Sequence, residues 1–165
     1  MHIEGYAALF GVADLEGDVI HAGAFRDSIA ACASAPMLLR HDPRLVAGVW
    51  RELREDARGL YVRGAIATDA PAGFLAMRAV AGGMDGLSIG FRTRAQRARP
   101  GGRDLYAIDL IEISIVPVPM APRARLVRAP EPKSARLVLA RSTPKENIPC
   151  EKQQKWPRLP LATTR

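Results

Sequence analysis

Cysteine and long apolar runs are both scarce in this sequence, and each scarcity excludes a class of protein. The two cysteines, Cys32 and Cys150, lie far apart, which favours free thiols over a disulfide framework or a metal cluster. No apolar run approaches the roughly 20 residues of a transmembrane helix. The N-terminus lacks the basic region and apolar run of a signal peptide. We therefore predict a protein with no bound metal, no cofactor and no membrane anchor.

Lysine is absent from the first 122 residues, and the positive charge is unevenly distributed. Residues 1–122 carry 13 arginines against 14 acidic residues, whereas residues 123–165 carry 11 basic and 3 acidic residues. The net charge of +7 therefore belongs to the C-terminal segment, which is also rich in proline. Such a composition predicts a folded domain over residues 1–125 and a basic, disordered tail over residues 126–165. The tail could contact nucleic acid weakly and without sequence specificity.

Aromatic residues are also few, at 5% of the chain, and they form no stripe among basic residues. Proteins that bind single-stranded nucleic acid usually stack bases on such aromatic side chains. The arginine-rich segment 92–103 is more typical of a solvated hairpin than of a binding surface. A small nucleic-acid-binding protein is therefore a disfavoured alternative.

Short apolar segments between turn signals predict a mainly β domain with a few helices (α+β). The predicted strands are 3–10, 37–41, a segment starting at 86, and 105–118, with a hairpin formed by 45–53 and 59–67. Helices are expected from about 23 to 34 and from 70 to 81. A turn is expected at Asp42-Pro43. We expect these elements to form a small closed or partly open β-barrel with helices packed around it.

Histidine is rare in the chain, which makes each one a candidate for proton transfer. The three are His2, His21 and His41. His41 ends an apolar run and precedes a predicted turn, so its side chain could face a cleft. A general base belongs in such a place, and imidazole titrates near neutral pH.

Ser88 is a candidate nucleophile because of its glycine neighbours. The segment Gly86-Leu87-Ser88-Ile89-Gly90 matches the Gly-x-Ser-x-Gly pattern of hydrolases. Glycines let a substrate backbone approach closely and permit unusual dihedral angles. However, strand-like residues continue past Ser88, so the strand–elbow–helix context of that pattern is missing. A serine hydrogen-bonded inside a strand remains the alternative.

A carboxylate within an apolar strand is costly to bury unless it is paired. Glu112 occupies such a place, on the strand face that also carries Leu110, Ser114 and Val116. It could orient an imidazole, as the acid of a catalytic triad does. Asp109, on the other face, is the competing candidate.

Several of these segments together resemble a known family, the prohead (capsid-maturation) serine proteases of tailed phages, whose fold is related to the herpesvirus assemblin-type proteases. The resemblance covers residues 3–125. The matching segments are, in order, Gly5-Tyr6-Ala7, Asp14 with Gly17-Asp18-Val19-Ile20, Gly23-Ala24-Phe25, Leu38-Leu39-Arg40-His41-Asp42, Gly48-Val49-Trp50, Gly59-Leu60-Tyr61-Val62, Gly86-Leu87-Ser88-Ile89-Gly90-Phe91 and the run from Asp109 to Pro119.

The resemblance implies a serine endopeptidase with His41 as base and Ser88 as nucleophile. The herpesvirus relatives carry a second histidine after the serine, where this sequence offers Glu112. The implied partners are the major capsid protein with its scaffold or delta segment, and the protease itself, through autocleavage or as a homodimer. The implied location is the interior of the immature capsid, in the cytoplasm of a bacterial host. The alternative is a non-catalytic capsid scaffolding module on the same fold, which the presence of both His41 and Ser88 disfavours.

Overall fold

The structure, a computed structural model, describes residues 1–127. Its elements in chain order are β1 (His2–Leu9), β2 (Val19–Ile20), α1 (Arg26–Ala31), β3 (Ala35–Leu39), β4 (Asp42–Glu55), β5 (Gly59–Ile66), α2 (Pro71–Ala81), β6 (Gly86–Arg99), β7 (Gly102–Val116) and β8 (Leu126–Val127). The mainly β fold with a few helices is confirmed. The predicted tail beyond residue 127 lies outside the described residues, and the domain boundary at residue 125 stays a prediction.

All the strands of the described part belong to one strongly curved sheet. Its order is β2-β7-β3-β4-β5-β1-β8, and β6 pairs antiparallel with β7. The sheet is not closed, but a bridge between Gly86 and Arg125 brings the start of β6 beside the segment that leads into β8. Leu87 N–H also donates to the Ala124 carbonyl at 2.9 Å. The term barrel therefore describes this partly open sheet only loosely.

The core lies inside this curved sheet and is closed by the helices. Its largest fully buried side chains include Trp50, Phe25, Met37, Leu60 and Leu87. The buried Trp50 indole N–H donates to the Ile113 carbonyl at 3.0 Å, which satisfies its polar atom. This hydrogen bond holds β4 close to β7 at Ile113, which lies between Glu112 and Ser114 in the sequence.

The predicted turn at Asp42-Pro43 is wrong, because the chain reverses two residues earlier. Leu39 pairs with Asp42, which leaves Arg40 and His41 as a two-residue hairpin turn. Both have positive φ, 56° and 59°, as the central residues of a type I′ turn require. Asn and Gly are the usual residues there, so this sequence carries no recognisable turn signal. Each non-glycine residue in this left-handed region costs about 1–2 kcal/mol.

The two helices match the sequence analysis to different degrees. Helix α2 has the predicted extent, with Pro71 in its first turn. Helix α1 is shorter than predicted, because Cys32 is already extended at φ −151°. No helix among residues 1–127 is long and apolar enough to span a membrane.

Candidate active site

The turn that carries His41 is placed by the pairing of β3 with β7. The two strands are parallel, with Leu38 opposite Ser114 and Leu39 opposite Ile115. Arg40 N–H extends this ladder by donating to the Ile115 carbonyl at 3.0 Å. The strained turn is therefore held against the polar part of β7. Strained backbone of this kind tends to occur at functional sites.

Ser88 reaches the same region through the pairing of β6 with β7. Ser88 lies opposite Ser114, and Gly90 lies opposite Glu112. Directly opposed residues of an antiparallel pair share one face of the sheet. Ser88 is only 8% exposed, yet its hydroxyl makes no hydrogen bond to any other residue of the described part. Ser88 and His41 line the same cleft.

A short hydrogen bond joins His41 to Glu112. The distance between His41 Nδ1 and Glu112 Oε1 is 2.6 Å, and the Glu112 side chain is 6% exposed. Because a carboxylate only accepts, Nδ1 carries the proton and the second nitrogen, Nε2, is left to accept one. The hydrogen bond to Glu112 raises the pKa of His41 above its usual range, with the negative charge adding to this and burial opposing it. The imidazole is thus oriented and made more basic.

Gly90 provides the space that the Glu112 carboxylate occupies. A Cβ at Gly90 would overlap Glu112 Oε1 and would lie 3.0 Å from both Cδ and Cγ. Neither Gly86 nor Gly90 has a positive φ. The expectation that the glycines flanking Ser88 permit unusual dihedral angles is therefore wrong. The short pattern around Ser88 reflects close packing inside a continuous strand rather than a nucleophile elbow.

The two competing carboxylates have different partners. Asp109 forms an ion pair with Arg94 at 2.8 Å, whereas Glu112 contacts His41. The other central histidine, His21, pairs with a different acid, Asp104, at 2.9 Å. Geometry therefore brings together His41, Ser88 and Glu112, the three residues singled out from the sequence.

The cleft beside these residues has a volume of about 190 Å³. Its lining includes small and apolar side chains of β1 and β6, and polar side chains of the loop before β2. They are Ala7, Ala8, Leu9, Val12, Asp14, Glu16, Asp18, Ile20, His41, Leu87, Ser88, Ile89, Phe91, Arg103, Met120 and Ala121.

An ion pair that sequence reasoning missed holds one wall of the cleft. Arg103 Nε donates to both oxygens of the buried Asp18, at 3.0 and 3.1 Å. The guanidinium keeps the pKa of Asp18 below its usual range, despite burial. Gly17 packs so closely on Gly101 that a Cβ would overlap the Gly101 carbonyl. In the sequence, Gly17 and Gly101 each indicate a turn. Nothing in the sequence shows that these two turns contact each other.

The arrangement of these side chains can be compared with a metal-binding site and with the catalytic site of a serine hydrolase. Residues 1–127 contain no group of three or more side chains placed to bind a metal ion. In serine hydrolases a buried carboxylate holds a histidine, and that histidine hydrogen-bonds to the nucleophilic serine. Among the described residues, His41 and Glu112 match the base and acid of that arrangement, and Ser88 lines the same cleft without a hydrogen bond to His41.

Comparison with known proteins identifies the family. The family model of the caudovirus prohead serine protease matches residues 1–134, and the chain belongs to this family. The prohead protease of Enterobacteria phage HK97 is 35% identical over 123 residues, which cover 70% of this chain and 54% of that protein. The chain therefore spans about half the length of that curated relative. The resemblance inferred from the sequence is confirmed.

Two solved structures are similar to this chain to different degrees. The capsid assembly protease of bacteriophage T4 superimposes with a TM-score of 0.57 at 18% identity, covering 70% of this chain and 80% of that one. A protease of Kaposi's sarcoma-associated herpesvirus gives a TM-score of 0.47 at 17% identity, covering 76% and 74%. The first of these shows that this chain and the T4 protease share a fold.

Proposed function

We propose that this chain is a serine endopeptidase that cleaves capsid or scaffold proteins during the maturation of a virus particle. The observation that carries this proposal is the 2.6 Å bond from His41 Nδ1 to Glu112, beside a cleft that His41 and Ser88 both line. Membership of the prohead serine protease family supports the same reaction.

The proposed reaction begins when His41 Nε2 takes the proton from Ser88 Oγ. The oxygen attacks a peptide carbonyl and forms a tetrahedral intermediate. That intermediate collapses to an acyl-enzyme when His41 returns the proton to the leaving amine. Water then attacks the ester with His41 again as base, and Ser88 is regenerated. Glu112 holds the imidazole in the Nδ1–H tautomer and stabilises the imidazolium.

The proposed substrates are the major capsid protein, with its scaffold or delta segment, and the C-terminal segment of the chain itself. The named functions of the relatives from phages HK97 and T4 support this choice. The proposed place of action is the interior of the immature capsid in the host cytoplasm. Self-association as a homodimer stays a prediction.

Co-expression with the capsid protein that is proposed as its substrate tests the proposal. We expect intact-mass analysis to show a shortened capsid protein with the wild-type chain and an uncut one with Ser88→Ala. Ser28→Ala is the matched control, because Ser28 is equally buried and its hydroxyl accepts from Leu110 N–H at 2.8 Å. Cleavage at the wild-type rate by Ser88→Ala would show that Ser88 is not the nucleophile. Particle assembly that requires the chain without any cleavage would favour the scaffolding alternative.

A further inference from the structure

Ser114 lies directly across the sheet from Ser88 and contacts both other members of the site. It is fully buried at 0% exposure. Its Oγ–H donates to Glu112 Oε2 at 2.6 Å. The same oxygen accepts the backbone N–H of His41 at 3.0 Å. One hydroxyl thus uses both its donor and its acceptor capacity on the two residues that form the proposed base.

These bonds complete a closed ring of hydrogen bonds. The ring runs from His41 N–H to Ser114 Oγ, on to Glu112 Oε2, across the carboxylate to Oε1, and back to the imidazole Nδ1 of His41. Without it, the His41 side chain, which is 44% exposed, would be free to change rotamer. The carboxylate could likewise rotate if only Oε1 were bonded. The ring therefore fixes the imidazole relative to its own backbone.

The hydrogen bond from His41 N–H to Ser114 Oγ also helps to hold the turn that carries His41. Arg40 and His41 both have positive φ, which surrounding contacts must maintain. The bond from His41 N–H to Ser114 Oγ is one such contact, and it comes from the strand that carries the carboxylate. Any relaxation of the turn would therefore move the imidazole and its acceptor apart.

We propose that Ser114 is a positioning residue of this protease, which sets the orientation and tautomer of His41 by holding its backbone and the Glu112 carboxylate at once. The proposal rests on the proposed function for its consequence in catalysis. Its structural part, the control of the His41 tautomer, stands without it.

The alternative is that Ser114 is merely a satisfied buried hydroxyl, as most buried polar groups are. Ser28 provides the matched comparison. Its hydroxyl is also buried and also accepts a backbone N–H, in this case that of Leu110 in β7. It contacts neither His41 nor Glu112. Loss of the Ser28 hydroxyl removes one buried hydrogen bond and loss of the Ser114 hydroxyl removes two, so both alanine variants should lose thermal stability, Ser114→Ala the more. Only loss of Ser114 should change the imidazole.

The tautomer can be measured directly by long-range proton–nitrogen NMR of the histidine rings, at a pH where they are neutral. The Ser88→Ala protein serves as the background, so the measurement needs no proteolysis. The chain has three histidines, and His41→Gln assigns the signals of His41. We expect the Nδ1–H tautomer in this background and in Ser28→Ala. With Ser114→Ala, we expect a mixture shifted toward the Nε2–H tautomer of free imidazole.

Kinetics on the active protein provides the second readout. We expect Ser114→Ala to lower kcat by up to about 100-fold with KM unchanged, because small misplacements of a catalytic group cost this much. Ser114→Thr, which keeps the hydroxyl, should restore the tautomer and most of the rate. If Ser114→Ala does not fold, Ser114→Cys, a poor hydrogen-bonding replacement of similar shape, takes its place.

Unchanged ring-nitrogen shifts in folded Ser114→Ala, or an equal change in Ser28→Ala, would overturn the positioning role. Absence of capsid-protein cleavage by the wild-type chain would instead refute the proposed function and leave the tautomer result intact. The two failures are therefore distinguishable.

Discussion

Replacing Gly90 by alanine tests whether the position of the Glu112 carboxylate sets the rate of the reaction. The added Cβ would lie 3.0 Å from Glu112 Cδ and would overlap Oε1. Gly90 has no positive φ, and alanine is favoured over glycine in a strand. The protein should therefore stay folded, and the carboxylate, as the end of a flexible side chain, should move.

The size of the effect follows from the distances. Carbon atoms in contact prefer separations of about 3.5 Å or more, so the carboxyl carbon must move by about 0.5 Å. A movement of this size along the bond would stretch the 2.6 Å contact with His41 to about 3.1 Å, the long end of the hydrogen-bond range. If a 1 Å misplacement costs about 100-fold, 0.5 Å costs about tenfold in kcat, or about 1.4 kcal/mol.

The assay is the rate of capsid-protein cleavage at fixed pH, with the free energy of unfolding measured in parallel. Gly82→Ala is the matched control, because Gly82 has φ −80° and a Cβ there would come no closer than 3.4 Å to another atom. We expect the control to cleave at the wild-type rate. A wild-type kcat for folded Gly90→Ala would refute the reasoning that the carboxylate position matters.

Three further predictions concern the carboxylate that contacts His41, the ion pair at the wall of the cleft and the strained turn. Glu112→Gln should lower the raised pKa of His41, so the acidic limb of kcat/KM moves to lower pH while kcat falls by roughly 10³-fold or more. Arg103→Ala should lower the free energy of unfolding by roughly 1–3 kcal/mol in denaturant titrations. Because the pKa of Asp18 is lowered, this difference should be present above pH 3.8 and shrink as Asp18 protonates in acid. Arg40→Asn should raise stability by about 0.5–1 kcal/mol, since Asn tolerates the left-handed region, and calorimetry would show no rise if the turn is unstrained.

Local patterns were sufficient to predict most of the strands, and together with the family resemblance they singled out the three residues that the structure brings together, whose catalytic roles stay a prediction. The alternation along β7 correctly grouped Glu112 and Ser114 on one face, and the hairpin of β4 and β5 followed from two apolar segments on either side of a polar link, residues 54–58. What alternation cannot show is which face of a strand meets which other strand. The parallel pairing of β3 with β7 joins residues more than 70 positions apart. Only this pairing decides that Glu112, and not Asp109, contacts His41.

The features that were missed depend on close contacts between distant segments. The turn at Arg40 and His41 lacks the usual turn residues, because long-range bonds to β7 hold it rather than local preference. Gly90 was assigned to substrate approach, whereas it makes room for a side chain of the neighbouring strand. The role of Ser114 needs three hydrogen bonds at once, and a sequence shows none of them.

The identity of the nucleophile is tested most directly by reaction with a fluorophosphonate, which labels activated serine hydroxyls. The labelled chain would be digested and the modified residue located by mass spectrometry. We predict one adduct, on Ser88, that disappears in His41→Ala and persists in Ser28→Ala. An adduct on another serine, or active cleavage by a chain whose Ser88 never reacts, would contradict the assignment of His41, Ser88 and Glu112 as the catalytic residues.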